Sequence, residues 1–384
     1  MPFPLHAELK HYDWGVPGAL SNVVGREPSG MPEAEIWWGN HSLAECSIST
    51  PEGAEDFHVW LEQKNLDFSL LVKLLAADKP LSIQVHPSHE QAQAGFDREH
   101  SQGVPLDAPE RMYKDRSAKP ELLIALSDEF VCLAGFVGPS EVRNRLARWG
   151  EWGAPGSLLS LMDRLAGNPR EACRVITEEF SGDDDVIQEL HDWLLSHDPS
   201  RLNEETRREV RLLQKVSSAY PGDPGILFAL LMHHVYLQRG EALFVVSGEV
   251  HAYVEGFGLE VMLPSDNVIR AGLTRKHTDT EAFMEVADFS PTSSPRLERP
   301  GGGGLFATYE TVGADFVVHR MTWGAEQFTI TRPSICFVET GRVTMSDSDE
   351  TQLGRGDAVF ALPGETVSPV SEDALVWLVH SEKN

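Results

Sequence analysis

The chain has 384 residues, 41% hydrophobic and 24% charged, the composition of a folded protein with more than one buried core and room for two or three domains. Its 59 acidic residues against 32 basic ones give a formal charge of -27, a field that repels nucleic acid, anionic membrane and polyanions. A small anionic substrate stays compatible with that charge, provided that a few Lys and Arg make a local positive pocket.

Residues 5–50 are rich in Trp and Gly, with Tyr12-Asp-Trp-Gly15 followed by Ala34-Glu-Ile-Trp-Trp-Gly-Asn-His41. Short apolar pieces punctuated by Gly and Pro predict strands there. Trp14, Trp37 and Trp38 are expected in the core, because a Trp buries so much apolar area. Residues 56–65 predict a short helix and residues 68–76 a strand. The stretch Leu81-Ser-Ile-Gln-Val-His-Pro87 then alternates, with Leu81, Ile83 and Val85 toward a core and Ser82, Gln84 and His86 on the opposite face. Alone, such alternation signals only a strand.

Residues 87–107 are polar and predict a helix with Ser88 as N-cap, which leaves His89 and His100 on a solvated surface. In Ser117-Ala-Lys-Pro-Glu-Leu-Leu-Ile-Ala-Leu126, Lys119 and Glu121 share a face across Pro120. That proline implies an edge strand or a locally broken pairing. A surface ion pair is the ordinary meaning of such a Lys and Glu, unless the strand lies beside Gln84 and His86.

From about 139 to 220 the period changes to that of helices, over 140–149, 157–165, 169–180, 184–195 and 203–218, with Pro, Gly, Asp or Asn at the breaks. A short apolar helix is expected at 226–232. Next, Gly240 and Gly248 bracket a strand, and His251 and Tyr253 give a third polar pair at spacing two. Asp266 and Arg270 follow, around an apolar pair. Residues 290–304, rich in Pro and Gly, read as a linker. The final segment, 305–384, is strand-rich and carries an internal echo: residues 355–370 align without gaps on 239–254, matching at Arg, Gly, Ala, Phe, Gly, Glu and the last Val, with Val367 in the frame of His251.

No apolar run reaches the length of a membrane span, since residues 68–77 are short and broken by Lys73, and residues 1–10 lack the regions of a signal peptide. Cys46, Cys132, Cys173 and Cys336 are scattered without a Cys-x-x-Cys pair, which fits free thiols in a reducing compartment. The protein is expected to be cytoplasmic.

Gly240, five residues, Val246-x-Gly248, two residues and His251 together resemble the second motif of the cupin jelly roll, with Val246 where proline is usual. Read with Tyr12-x-Trp-Gly15, Ala34-Glu-Ile-Trp37, residues 81–87, Lys119-Pro-Glu121, His251-Ala-Tyr253 and Ser265-Asp-Asn-Val-Ile-Arg-Ala-Gly-Leu-Thr274, the chain is similar to the type I mannose-6-phosphate isomerases, in order over nearly its whole length. The resemblance implies a mainly β fold with an α insertion: two cupin-type β jelly-roll barrels plus an all-helical insertion domain. Residues 1–138 and 221–289 would form the catalytic cupin domain and 139–220 the insertion. Residues 290–304 would be the linker, and 305–384 a C-terminal cupin-like domain without metal.

The resemblance also implies one zinc ion per chain, held by Gln84, His86, Glu121 and His251. Imidazole, carboxylate and a neutral amide oxygen are suitable donors, and a single anionic ligand keeps the site electron-poor. The implied reaction interconverts mannose 6-phosphate and fructose 6-phosphate through an enediol. Arg270 or the metal would stabilise the developing oxyanion. Lys119 is the candidate base, and Asp266 would orient Arg270. Tyr253 would line the pocket, and Ser82, Lys73 and Lys276 match positions near the phosphate. One departure stands out, because the family's usual Asn-His before Lys-Pro-Glu is here Ser117-Ala118. The expected partner is a small-molecule sugar phosphate, with no nucleic acid and no membrane, and a monomer is expected. Two alternatives stay open at this point: a non-catalytic metal cupin that senses a sugar phosphate, and an isomerase of another phosphorylated aldose.

Overall fold

The alternating stretches of the sequence fold into antiparallel strands, and the stretch of helical period folds into helices. In the computed structural model, which describes residues 2–180, 184–291, 296–297, 304–311, 313–346 and 350–382, the strands form sheets of 8, 11 and 4. The architecture is therefore mainly β with helices. No helix among the described residues is long and apolar enough to cross a membrane.

The helices begin and end where polar side chains satisfy their free backbone groups. Phe57–Lys64 starts at Asp56, whose carboxylate accepts from the Val59 amide, and ends at Asn65 in the left-handed region at φ 49. His89–Ser101 opens with a capping box between Ser88 and Gln91. His89 and His100 are exposed on it, as expected. In the middle of the chain stand Pro139–Glu151, Gly156–Leu165, Pro169–Glu179, Asp185–Ser196 and Glu204–Ala219, followed by Gly225–Leu231. Their apolar faces, including Val142, Trp149, Leu158, Leu190 and Leu213, pack in one core with Phe136, Phe228 and Val250 of a neighbouring strand, helix and loop. Buried Arg145 ties them to the sheet by donating from Nη1 to the carbonyls of Leu230 at 2.7 Å and Met232 at 3.0 Å.

The 8-stranded sheet crosses the boundary expected at 290–304. Its strand Phe3–Ala7 pairs with Ala358–Ala361, Phe3 opposite Phe360 and Pro4 opposite Val359. Leu5, Trp38 and Phe57 accordingly share one core with Phe316, Phe337 and Trp377. Burying an apolar N-terminal strand against the last segment fuses two regions that the linker composition separated. Of that expected linker, 292–295 and 298–303 lie outside the described residues, while Arg296–Leu297 pairs with Ala242–Val245.

Strand bounds shift from expectation. Residues 68–76 become Leu71–Ala77, and residues 81–87 keep only Ile83–Val85 as a strand. Pro120 lies just ahead of Glu121–Ala125, which runs between Ala242–Val245 and His251–Met262. The strand is therefore interior rather than an edge, and the missing donor interrupts no ladder. Of the three tryptophans expected in the core, Trp38 is buried, while Trp14 and Trp37 are only half-buried. The internal echo takes the same form twice. Gly240 and Gly356 turn at φ 79 and 87, and Gly248 and Gly364 at φ 84 and 99, around the matched strands Ala242–Val245 and Ala358–Ala361. All four cysteines are free and buried.

Candidate metal centre

Strand register collects the polar pairs. Gln84 lies opposite His251 on one side and opposite Arg270 on the other. Residues directly opposed in an antiparallel pair point to the same face, so these three side chains form one row. His86 follows two residues after Gln84 on that face, and Glu121 opens an interior strand whose partners are Val245 and Met262. The outcome is that His86, Glu121 and His251, all buried, each offer a ligand atom within 4.8 Å of the others. Glu121 Oε1 is 3.3 Å from His86 Nε2, and its Oε2 is 3.4 Å from His251 Nε2. The carboxamide of Gln84 lies 3.3 Å from His251 Nε2. Since the oxygen and nitrogen of an amide exchange by a half-turn, Gln84 can present Oε1 to the same point.

The far side of each imidazole fixes its tautomer. His86 Nδ1 donates to the Asn267 carbonyl at 2.7 Å and His251 Nδ1 to the Glu249 carbonyl at 3.1 Å, which leaves a lone pair on each Nε2. His86 Nε2 is buried without a hydrogen-bond partner. Burial pushes the His86 pKa down to about 4, against the pull of Glu121. Burial works to raise the Glu121 carboxyl, but Lys119 and His86 hold it well below the usual carboxylate range. Two imidazoles and a carboxylate thus converge on one point, a donor set that fits a borderline divalent cation.

Around this point the other expected residues divide. Lys119, buried, places Nζ 2.7 Å from Glu121 Oε1. Tyr253, also buried, donates from its hydroxyl to Glu121 Oε2 at 3.3 Å. Arg270 is half-buried and has no ion-pair partner among the described residues, and burial lowers its pKa. Asp266 meets His41, with Oδ1 3.4 Å from Nε2, rather than Arg270. Lys276 is exposed, its pKa lowered by partial burial and then by the charges of Arg270 and Lys114. Ser82 is half-buried at the entry to Ile83–Val85. Lys73 is deeply buried between Glu260 at 3.3 Å and Glu35 at 3.7 Å, with its ammonium 4.5 Å from the centroid of the Trp37 ring. Ser117 and Ala118 bring no imidazole to this loop.

Four residues escaped the sequence reading: Glu35, His41, Glu260 and Asn267. Glu35 and Trp37 stand at spacing two, a signal that the apolar context of Ile36 and Trp38 hid. Glu260 lies in the same long strand as His251 and Tyr253, past the polar pair that the sequence singles out. Asn267 has no pattern of its own. Its carboxamide accepts from the Lys114 and Asp115 amides at 2.7 and 3.1 Å and donates to the Ser117 carbonyl at 2.9 Å, so it fixes the loop leading to Lys119.

Comparison with known proteins agrees with this geometry. The profile of the phosphomannose isomerase type I catalytic domain matches residues 2–138. The mannose-6-phosphate isomerase of Escherichia coli K12 is 30% identical, over 94% of this chain and 95% of its own length. That of Cryptococcus neoformans is 27% identical over 95% of both. Among solved structures, a phosphomannose isomerase variant from Salmonella typhimurium superposes with a TM-score of 0.85 at 25% identity, covering 100% of both chains. A zinc-bound mannose 6-phosphate isomerase does so at 0.84 and 26%, with the same coverage. With its ligand-donor cluster in place and its similarity extending over nearly the whole length, the chain belongs to the type I mannose-6-phosphate isomerase family and is an enzyme of that kind.

Proposed function

We propose that the chain interconverts mannose 6-phosphate and fructose 6-phosphate through an enediol, at one zinc ion held by Gln84, His86, Glu121 and His251. The observation that carries this reading is the convergence of three buried ligand atoms within 4.8 Å, in a chain 30% identical to a mannose-6-phosphate isomerase. Bound zinc would supply Lewis acidity to a sugar oxygen. The remaining work falls to the chain. Lys119, fixed by its contact with Glu121, moves the proton between C1 and C2. Arg270, without a carboxylate to neutralise it, offers its charge to the oxygen that becomes anionic on the way to the enediol. Tyr253 holds Glu121 in orientation, and Asp266 works with His41 at the edge of the site. Ser82 and Lys276 take the phosphate. Lys73 matches a phosphate position in sequence, but its charge is already shared by Glu35 and Glu260, so its contribution there is secondary.

The same reading takes the sheets as two cupin-type jelly-roll barrels. Residues 1–138 with 221–289 carry the catalytic barrel, 139–220 form the helical insertion, 290–304 link, and 305–384 form the second barrel. Val367 is fully buried among apolar side chains, so the place that His251 holds in the first barrel is core in the second.

A coupled assay for fructose 6-phosphate on purified protein, before and after chelation, tests the proposal. Activity on mannose 6-phosphate that is lost with the metal and restored by zinc is expected. Metal-replete protein that binds the sugar phosphate without turning it over would overturn it in favour of a sensor.

A further inference from the structure

Away from the candidate centre, two imidazoles meet on the C-terminal sheet. His319 lies in Phe316–Thr322 and His380 in Leu375–Ser381. Val317 is opposite His380 and His319 opposite Leu378, so the two histidines are diagonal neighbours on one face. Their Nε2 atoms are 3.1 Å apart. His380 Nδ1 donates to the Ser381 carbonyl at 3.0 Å, and His319 Nδ1 lies 3.0 Å from Thr308 Oγ1, which can accept. With both Nδ1 atoms protonated, both Nε2 lone pairs point at the same small volume. The alternative is a single N–H···N bond, which requires the Thr308 hydroxyl to donate instead. Burial, and then His380, push the His319 pKa down to about 4, so this imidazole is neutral and able to ligate at neutral pH.

The geometry points to a second metal site: we propose that His319 and His380 chelate one borderline divalent transition-metal ion, of the Cu2+, Ni2+ and Zn2+ class, with solvent filling the other positions. For metal–nitrogen bonds of about 2.0–2.1 Å, a nitrogen separation of 3.1 Å corresponds to a ligand–metal–ligand angle of roughly 95–100°, the cis angle of tetragonal and octahedral ions. Imidazole excludes hard ions such as Mg2+ and Ca2+ from the pair. The second atoms of both rings are held by Thr308 and Ser381, the outer support that ligating histidines ordinarily have. Two protein ligands make this site weaker and more exchangeable than the candidate centre around Glu121. It also departs from the metal-free C-terminal domain expected from Val367. The matching frame has lost its histidine, but other strands of the same region supply a pair. Metal there would join Phe316–Thr322 to Leu375–Ser381, so occupancy should raise the thermal midpoint with metal concentration.

The test uses the full chain, zinc-loaded and free of any polyhistidine tag, titrated with Cu2+. One further equivalent should bind, its electron paramagnetic resonance spectrum showing two equatorial nitrogens, with zinc content and isomerase activity unchanged. H319Q and H380Q should each abolish that equivalent and leave activity intact. In the native protein, Ni2+ should broaden the imidazole signals of His319 and His380 before any others, a readout that needs no variant. Copper uptake only by displacement of zinc, a spectrum with fewer than two nitrogens, or an undiminished second equivalent in H319Q would each overturn the proposal and leave the pair as a plain N–H···N bond.

Discussion

Replacing Lys73 by methionine separates two roles for this lysine, phosphate ligand and buried counter-ion to Glu35 and Glu260. If it is a phosphate ligand, K73M should raise KM and leave stability alone. The structure shows instead an ammonium buried between Glu260 at 3.3 Å and Glu35 at 3.7 Å, under the Trp37 ring. Burial alone would lower its pKa, yet the two carboxylates hold it above the ordinary lysine value. Removing the cation of a buried pair costs about 3–5 kcal/mol, because the carboxylates stay behind in a poorly solvating interior. At about 2 °C per kcal/mol, the low end of the scale since the chain is large, the thermal midpoint should fall by about 6–10 °C. Burial already raises the Glu260 pKa, so the variant can relieve the strain by taking up a proton. A carboxyl raised in the folded state contributes stability below its folded pKa and loses it as pH rises, so the deficit should grow as pH rises through the raised Glu260 pKa. Adding E260Q should recover part of the loss, whereas K276M, on the exposed lysine, should raise KM without moving the midpoint. Differential scanning calorimetry and steady-state kinetics on the same preparations decide the matter. A K73M midpoint within about 1 °C of the native one, with KM raised tenfold, would refute the argument.

Three other outcomes are expected. R270A should lower kcat by roughly two to three orders of magnitude, the scale for losing a preorganised oxyanion donor, with metal content unchanged by elemental analysis. Y253F deletes the hydroxyl that donates to Glu121 Oε2 at 3.3 Å, and should weaken metal binding by about tenfold in a competitive chelator titration. In chelated protein, His86 titrates near 4, below the ordinary value of about 6.5, because of burial. The unfolded chain therefore binds its proton first, and stability should fall by about 3 kcal/mol as pH drops from about 6.5 to 4. Urea midpoints across that range should show the slope in the native sequence and lose it in H86Q.

The fold was legible where one period ran undisturbed. Asn203 and the apolar spacing after it fix Glu204–Ala219 almost to the residue, because an N-cap and a helical stripe are both local signals. The pairing of Phe3–Ala7 with Ala358–Ala361 was not legible, since nothing within a short apolar strand names a partner some 350 residues away. Of the edge strand or broken pairing that Pro120 implied, the pairing does stop beside it at Glu121, but in an interior strand. A proline speaks for its own missing donor, and a one-residue displacement from the strand is enough to make an interior strand look like an edge.

The candidate site was legible for a narrower reason. Gln84 with His86, Lys119 with Glu121, and His251 with Tyr253 each stand at spacing two, so each pair declares a common face before any partner strand is known. Spacing cannot say which charges neutralise each other. Lys73, Lys119 and Arg270 are equivalent as isolated cations in the sequence. In the fold, Lys73 is shared by two carboxylates and Lys119 by one, while Arg270 meets none among the described residues. Arg270 therefore keeps the most positive charge to offer an anionic substrate, on a chain whose formal charge of -27 otherwise opposes one. Register puts that charge in the site: Arg270 enters the row of His251 and Gln84 because Ile269–Gly272 pairs with Ile83–Val85, a contact between segments about 185 residues apart that no local pattern encodes.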